Sequence, residues 1–313
     1  MKSFPVPSHR NFVDYGPNPP HAQWPDGARV AVSLVVNVEE GSEQTVSRGD
    51  AVNEHVYDMI DVVAGGPNPT GESHFDYGTR AGYWRIVHVL ERYGATCTLN
   101  ACAEALALSP WLGRDAVGRG FEISSHGYRW LSPKAMSEAE EREWIHRAVK
   151  TTADACGVRP VGWHTRCPHT LNTRRLLIEE GGFLYDSDAY DDDLPYLVDA
   201  GDRQHVVLPY SLDTNDMRFQ RPEAGFVRAR DFAEYVIDAF DWLWAEGQTT
   251  PKMMTIGLHL RTIGRPARIG GLQRVLAHVR DTGSAWIARR DEIARHWLRV
   301  HGTRALRGAQ GGA

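Results

Sequence analysis

A distorted (β/α) barrel of about seven parallel strands is the fold class this sequence predicts, on three observations. Residues 29–38 (RVAVSLVVNV) form a nearly continuous β-branched run, as expected of a strand buried on both faces. Strand-like and helix-like segments then alternate along the rest of the chain, the pattern of parallel strands with helices outside. No glycine-rich dinucleotide or phosphate loop follows the first strand, which favours a barrel over an open nucleotide-binding sheet.

The elements follow in order. Residues 1–27, with Gly16-Pro17-Asn18-Pro19-Pro20, read as an irregular arm, residues 28–302 as a single barrel domain, and the glycine-rich residues 303–313 as a flexible tail. Residues 41–76 form a long excursion containing Gly, Pro and Asn, of the kind that shapes a site. Residues 77–93 place Ile86, Val87, Leu90 and Tyr93 at helical spacing and stop at Gly94. Strands are predicted at 95–101 and 121–125, with a helix between them. Ser137-Glu138-Ala139-Glu140 is a capping box that opens a helix running to about Cys156. Strands at 161–165 and 184–187 flank a helix over 170–180, and 206–210 is a further strand. Phe232, Tyr235, Val236, Ala239, Phe240 and Leu243 form one stripe of a helix over 230–246, closed by Gly247. A strand at 253–260, a helix at 271–279, a strand at 285–288 and a helix at 291–300 complete the pattern.

Bulk properties narrow the function. A chain of 313 residues suffices for one large barrel. A net charge of −5 and no Lys/Arg-rich block argue against nucleic acid as the partner. No apolar run approaches the ~20 residues of a membrane helix. The first ten residues lack the apolar core of a secretory signal, and the four cysteines (Cys97, Cys102, Cys156, Cys167) show no CxxC spacing. A cytoplasmic protein with free, buried thiols, acting on a small molecule, is the expectation.

Parallel α/β folds bind ligands at the carboxyl ends of their strands. Reading off those ends gives Asn37 and Glu39, then His126 and Trp130, Trp163 and Arg166, Asn215, and finally His259, Arg261 and Arg265. Each alone is an ordinary loop cap, structural histidine or packing residue. Their gathering at one end of one sheet is what points to chemistry. Adding water to a carbonyl needs a base, an acid and an oxyanion stabiliser. Glu39 and His259 are the predicted proton carriers, with His126 orienting or polarising water or carbonyl. Arg166, Arg261 and Arg265 offer paired donors to a carbonyl-rich or anionic substrate. Asn37 and Asn215 suit a ring amide, and Trp130 and Trp163 suit pocket walls. Cys167, beside Arg166, is not needed as a nucleophile. Glu39, His126 and His259 also make up the one carboxylate and two imidazoles of a catalytic zinc site, so a divalent metal such as zinc is the alternative to a site needing no cofactor.

The segments NVEEGSE, YGTRAGYWR, SHGYRW, NTRRLLIEEGGFLYDSDAYDDDLPY, LDTNDMRF and IGLHLRTIGRPAR resemble the polysaccharide-deacetylase (NodB-homology) superfamily, and within it the allantoinase-like branch, from about residue 12 to 298. The resemblance implies a distorted (β/α) barrel, hydrolysis of a C–N bond such as the ring opening of allantoin, and a homo-oligomer, often a tetramer. Deacetylases of the superfamily place two aspartates on the first strand and two histidines at H-x-x-x-H. The matching positions are Asn37, Glu39, His126 and Trp130. Tryptophan ligates no metal, so the resemblance implies that the usual zinc site is broken here, as it is in the allantoinase branch. The segment GWHTRCPHTLNTRR is about one residue longer than that branch's GWYTGR-like loop and carries His164, Cys167 and His169, which points to a different cyclic ureide, imide or amide. A metal-dependent deacetylase of an N-acetylated glycan or small molecule, and a non-catalytic binding module, are the alternatives.

Overall fold

Nine consecutive residues of the first β-branched run, Val30–Val38, form strand β1, and every one is buried. The computed structural model describes residues 15–55, 63–201, 203–221 and 225–302; the expected tail and the first fourteen residues of the expected arm lie outside them. After β1 come α1 (Pro69–Tyr77), α2 (Tyr83–Tyr93), β2 (Thr98–Ala101), α3 (Ala103–Leu108), α4 (Pro110–Gly118), β3 (Glu122–Ser125), α5 (Glu138–Cys156), β4 (Gly162–Trp163), α6 (Thr173–Glu180) and β5 (Tyr185–Asp186). Then follow β6 (Tyr196–Ala200), β7 (Arg203–Val207), α7 (Ala229–Glu246), β8 (Lys252–His259), α8 (Pro266–Thr282), β9 (Ala285–Ile287) and α9 (Arg290–His301).

The strands form one curled sheet in the order β6-β7-β5-β4-β3-β2-β1-β8, with β9 also paired to β1. β8 runs beside almost all of β1, while β9 and β2 share its other edge, at Val30–Val32 and Val35–Val38 respectively. The segment after β7 meets β8 through an isolated bridge, Asn215 to Gly257, and not, among the described residues, through a continuous ladder. The architecture is therefore a curled, mainly parallel half-barrel with helices outside.

Several expectations need correction. The β6–β7 hairpin is antiparallel and was not anticipated; its strand β7 begins at Arg203 and ends at Val207, before the expected 206–210 segment is complete. The helix expected over 77–93 is α1, a π turn over Gly78–Gly82 and α2. The excursion over 41–76 is partly ordered: Thr45 caps a short turn at Val46–Arg48, and Asn68 caps α1. α8 begins five residues before the expected start because Pro266 occupies its first turn, a position where its missing N–H costs nothing. Part of the expected arm is core: Trp24 is buried and donates its indole N–H to the Lys252 carbonyl at 2.8 Å. Three cysteines are buried and free, but Cys167 is exposed.

The barrel interior below the site is closed by Arg290, from the start of α9. Its guanidinium, 2% exposed, donates to Ser187 Oγ at 3.0 Å, Thr255 Oγ1 at 2.9 Å and the Leu208 carbonyl at 2.5 Å. Burial pulls its pKa down. Above it, the π turn is pressed against the end of β8. A Cβ on Gly82 would stand 2.1 Å from the Leu260 carbonyl oxygen, although the backbone there is ordinary helix (φ −61°, ψ −47°). In an open helix Gly→Ala gains about 1 kcal/mol. Gly82→Ala is expected to lose about 1–3 kcal/mol instead, through overpacking. Urea denaturation measures it, and unchanged or raised stability would show that this contact yields freely.

Candidate active site

Side chains two apart on an extended chain face the same way, so Asn37 of β1 and Glu39, one residue past its end, point inward together. Strand register sets Asn100 of β2 and His259 of β8 level with Asn37. His126 follows β3, its N–H bound to the Ala101 carbonyl at 2.8 Å. The result is a buried cluster around one carboxylate. Glu39 Oε1 lies 3.5 Å from His126 Nε2 and 3.4 Å from His259 Nε2, and Glu39 Oε2 lies 2.7 Å from the Arg261 guanidinium. Asp216 completes it: its Oδ1 is 2.6 Å from His259 Nδ1, and its Oδ2 accepts the backbone N–H groups of His259 (2.8 Å) and Ile263 (3.0 Å). His126 Nδ1 faces the His164 carbonyl at 2.5 Å; a carbonyl only accepts, so the Nδ1–H is the donor and the neutral ring's lone pair lies on Nε2.

The electrostatics follow from burial and these partners. Desolvation would raise Glu39, but Arg261, then the charge and hydrogen bond of His259, outweigh it and hold its pKa well below the carboxylate range. Burial would lower His259, yet the carboxylates of Glu39 and Asp216 lift it to about 9. Desolvation pushes Glu40 up, and Glu43 up to about 7. His164 is driven well down by burial and by neighbouring His126 and Arg290, so its ring is neutral.

Beneath Glu39 lies a polar floor. Asn37 donates to the Leu258 carbonyl and to the Tyr210 hydroxyl, both at 3.1 Å. Asn100 donates to Asn37 Oδ1 at 2.9 Å, and Asn215 to the Tyr210 hydroxyl at 3.2 Å. The His164 ring packs on Tyr210 with centroids 4.2 Å apart.

The structure thus gathers Glu39, His126, His259 and Arg261, with Asn37 and Asn215 just below. It corrects other expectations. Trp163 is no pocket wall: strand alternation turns it outward, 0% exposed, against Trp144 and Phe183, and brings His164 inward. Both amide N–H groups of Asn37 are engaged by protein. Arg166 is held bidentately by Glu54 at 2.8 and 2.9 Å, and Arg265 lies 3.6 Å over the Tyr77 ring. Trp130 is a platform for cations, with Arg166 at 3.9 Å and Arg261 at 5.1 Å. Asp216, Asn100 and Tyr210 were not singled out from sequence. Asn100 carried a signal, an amide inside the apolar run 95–101; Tyr210 and Asp216 carried none without the fold. A cavity of about 880 Å³ lies to one side, lined by Leu131, Lys134, Trp144, Arg147 and Arg166 among others. It contains none of Glu39, His126 or His259, so chemistry and not volume locates the site.

Two donors on one tetrahedral zinc stand roughly 3.3 Å apart, given bonds near 2.0–2.1 Å, so the spacing around Glu39 Oε1 does not decide for or against a metal. The charge does. Arg261 already neutralises Glu39, and Trp130 stands where the second histidine of the deacetylase pattern would be. The residues present do not fit a resident metal.

Fold and site together define a parallel-rich α/β half-barrel with paired imidazoles over its strand ends. A polysaccharide deacetylase family model matches residues 67–180. A putative polysaccharide deacetylase of Schizosaccharomyces pombe is 34% identical over 299 residues, covering 89% of this chain and 93% of its own. Among solved structures, a probable polysaccharide deacetylase from Pseudomonas aeruginosa is 46% identical with a TM-score of 0.90, covering 94% of this chain and 99% of its own. Puue allantoinase is 45% identical with a TM-score of 0.90, covering 95% of this chain and 99% of its own. The chain belongs to the polysaccharide deacetylase family, and with it to the hydrolases of C–N bonds other than peptide bonds. No helix among the described residues is long and apolar enough to cross a membrane.

The Asp216–His259 pair makes a prediction with a definite sign. Native His259 keeps a proton that the unfolded chain, with a histidine near 6.5, releases sooner. Its stabilisation is complete below about pH 6.5 and lost as pH rises through about 9. Asp216→Asn is expected to lower the His259 pKa, as read by NMR titration of labelled histidine. An unmoved titration would deny Asp216 that role.

Proposed function

We propose that this protein opens a cyclic amide, either allantoin or a related cyclic ureide or imide, by adding water to a ring carbonyl. The observation that carries this reading is the opposed pair of imidazoles on Glu39: His259 a cation backed by Asp216, His126 with its Nε2 lone pair toward the site. His126 Nε2 takes a proton from water as the C–O bond forms. His259 gives its proton to the departing ring nitrogen as the C–N bond breaks, and the product carries a new carboxylate. Glu39, ionised and anchored by Arg261, holds the His259 ring in place, while the His164 carbonyl holds that of His126. This exchanges two of the expected roles, because a carboxylate held so far below its ordinary range is a weak base and His126 is the better one. The similarity to Puue allantoinase supports a ring substrate, and the distinctive segment 162–175 supports one related to allantoin. A site needing no cofactor, a cytoplasmic location and a homo-oligomer, a tetramer on the family resemblance, belong to the same proposal.

The test is a chelator-treated protein offered allantoin, hydantoins, cyclic imides and N-acetyl sugars, with and without zinc or manganese. Ring opening without metal is expected, with His259→Ala and Glu39→Gln each lowering kcat/KM by roughly 10²–10⁴-fold. Acetate release appearing only after metal addition would overturn the proposal in favour of a deacetylase.

The free enzyme should show an alkaline limb in kcat/KM near pH 9, as His259 loses its proton. A profile flat through pH 10 would remove His259 as the acid.

A further inference from the structure

The floor beneath Glu39 holds two hydrogen-bonding functions that the protein leaves unmatched, and their identity can be deduced. The Leu258 carbonyl only accepts, so Asn37 must turn its Nδ2 toward Leu258 and Tyr210 and its Oδ1 toward Asn100. Asn100 therefore presents Nδ2 to Asn37, and also to His164 Nδ1 at 3.3 Å. Its Oδ1, on a side chain 1% exposed, is left without a donor. Asn215 is fixed independently: its Oδ1 accepts the Met217 N–H at 2.8 Å, so its Nδ2 faces Tyr210. The Tyr210 oxygen thus accepts from two amides, which fills both lone pairs. No hydrogen bond among the described residues gives its own proton an acceptor. Gly257 makes room for this arrangement, since a Cβ there would lie 2.4 Å from the Tyr210 hydroxyl and 2.3 Å from Asn215 Nδ2.

We infer that Asn100 Oδ1 and the Tyr210 O–H form a recognition pair for the N–H and C=O edge of a cyclic amide, an inference that rests on the ring-opening reading. The two residues flank the single Asn37 amide and both touch His164. A small ring holds its amide cis, so N–H and C=O lie on one edge and meet an acceptor and a donor side by side. The trans amide of an N-acetyl sugar sends the two groups in opposite directions. Leaving a buried donor or acceptor unmatched costs more than a net hydrogen bond gains, so the pair selects for rings that satisfy both. Its substrate class is the N–H-bearing cyclic ureide or imide.

Calorimetric binding of hydantoin and 1,3-dimethylhydantoin to the full chain tests this, with Tyr210→Phe and Asn100→Ala alongside. The native protein should bind hydantoin at least ~10-fold more tightly than its dimethyl analogue. Asn100→Ala should bring that ratio toward one, and Tyr210→Phe should weaken hydantoin roughly 5- to 50-fold. The comparison on the native protein needs no variant, and thermal denaturation identifies any variant that fails to fold. Equal native affinities, or no hydantoin binding, overturn the pair even where ring opening is observed. A preference for hydantoin with no ring opening keeps the pair and overturns the hydrolytic reading instead.

Discussion

A carboxylate that is 1% exposed stays ionised only where positive charge is brought to it, and the 2.7 Å contact between Glu39 and Arg261 is where this fold does so. Arg261 is itself 2% exposed, so its guanidinium must also be accommodated. It lies 4.4 Å over Phe75 of α1 and 5.1 Å from Trp130. Trp130 in turn carries Arg166, which is tied to Glu54 in the long excursion after β1. One ion pair thus fixes where α1, the loop after β3, the loop after β4 and the end of β8 must meet. Removing one partner of such a pair typically costs 3–5 kcal/mol, because the survivor is left charged and buried.

The surrounding charges are arranged as alternating partners. Asp216 faces His259, His259 faces Glu39, and Glu39 faces Arg261. Two negative charges meet two positive ones, and the Arg261 guanidinium also reaches Glu40, at 3.6 Å. Desolvation outweighs that help, and Glu40 and Glu43 are raised, the second to about 7. A centre balanced in this way suits a neutral, carbonyl-rich ring better than a strongly charged ligand.

What was legible in the sequence was whatever strand periodicity and strand ends control. The run RVAVSLVVNV placed β1, and polar residues at the strand ends placed Glu39, His126 and His259 together before any fold was in view. Trp163 shows the limit: it and His164 are neighbours in sequence, and only the parity of β4 decides which one enters the barrel. Asp216 shows another. It follows an isolated bridge in an irregular segment, and its role comes from His259, 43 residues away. The arginines looked like substrate clamps because sequence displays their charge but not the carboxylates and rings already holding them. The β6–β7 hairpin escaped notice because its strands are half-exposed and mixed in polarity, without the apolar continuity that marked β1.

A guanidinium and a metal ion supply different things to a hydrolytic site. A metal polarises a carbonyl and lowers the pKa of its bound water. Arg261, already committed to Glu39, does neither, so proton transfer falls to side chains that titrate near neutrality, and histidine is the one that does. The proposed reaction uses two imidazoles, one empty and one loaded, and the partner of each Nδ1 decides which is which. The His164 carbonyl fixes the tautomer of His126, while Asp216 holds the proton on His259. In the proposed reaction, orientation of the ring falls to fixed hydrogen-bonding groups below. Each amide in that floor is turned by a partner that admits only one orientation, from the Leu258 carbonyl and the Met217 N–H inward. The catalytic layer and the recognition layer are therefore joined through His164, whose backbone sets the base and whose ring packs on Tyr210.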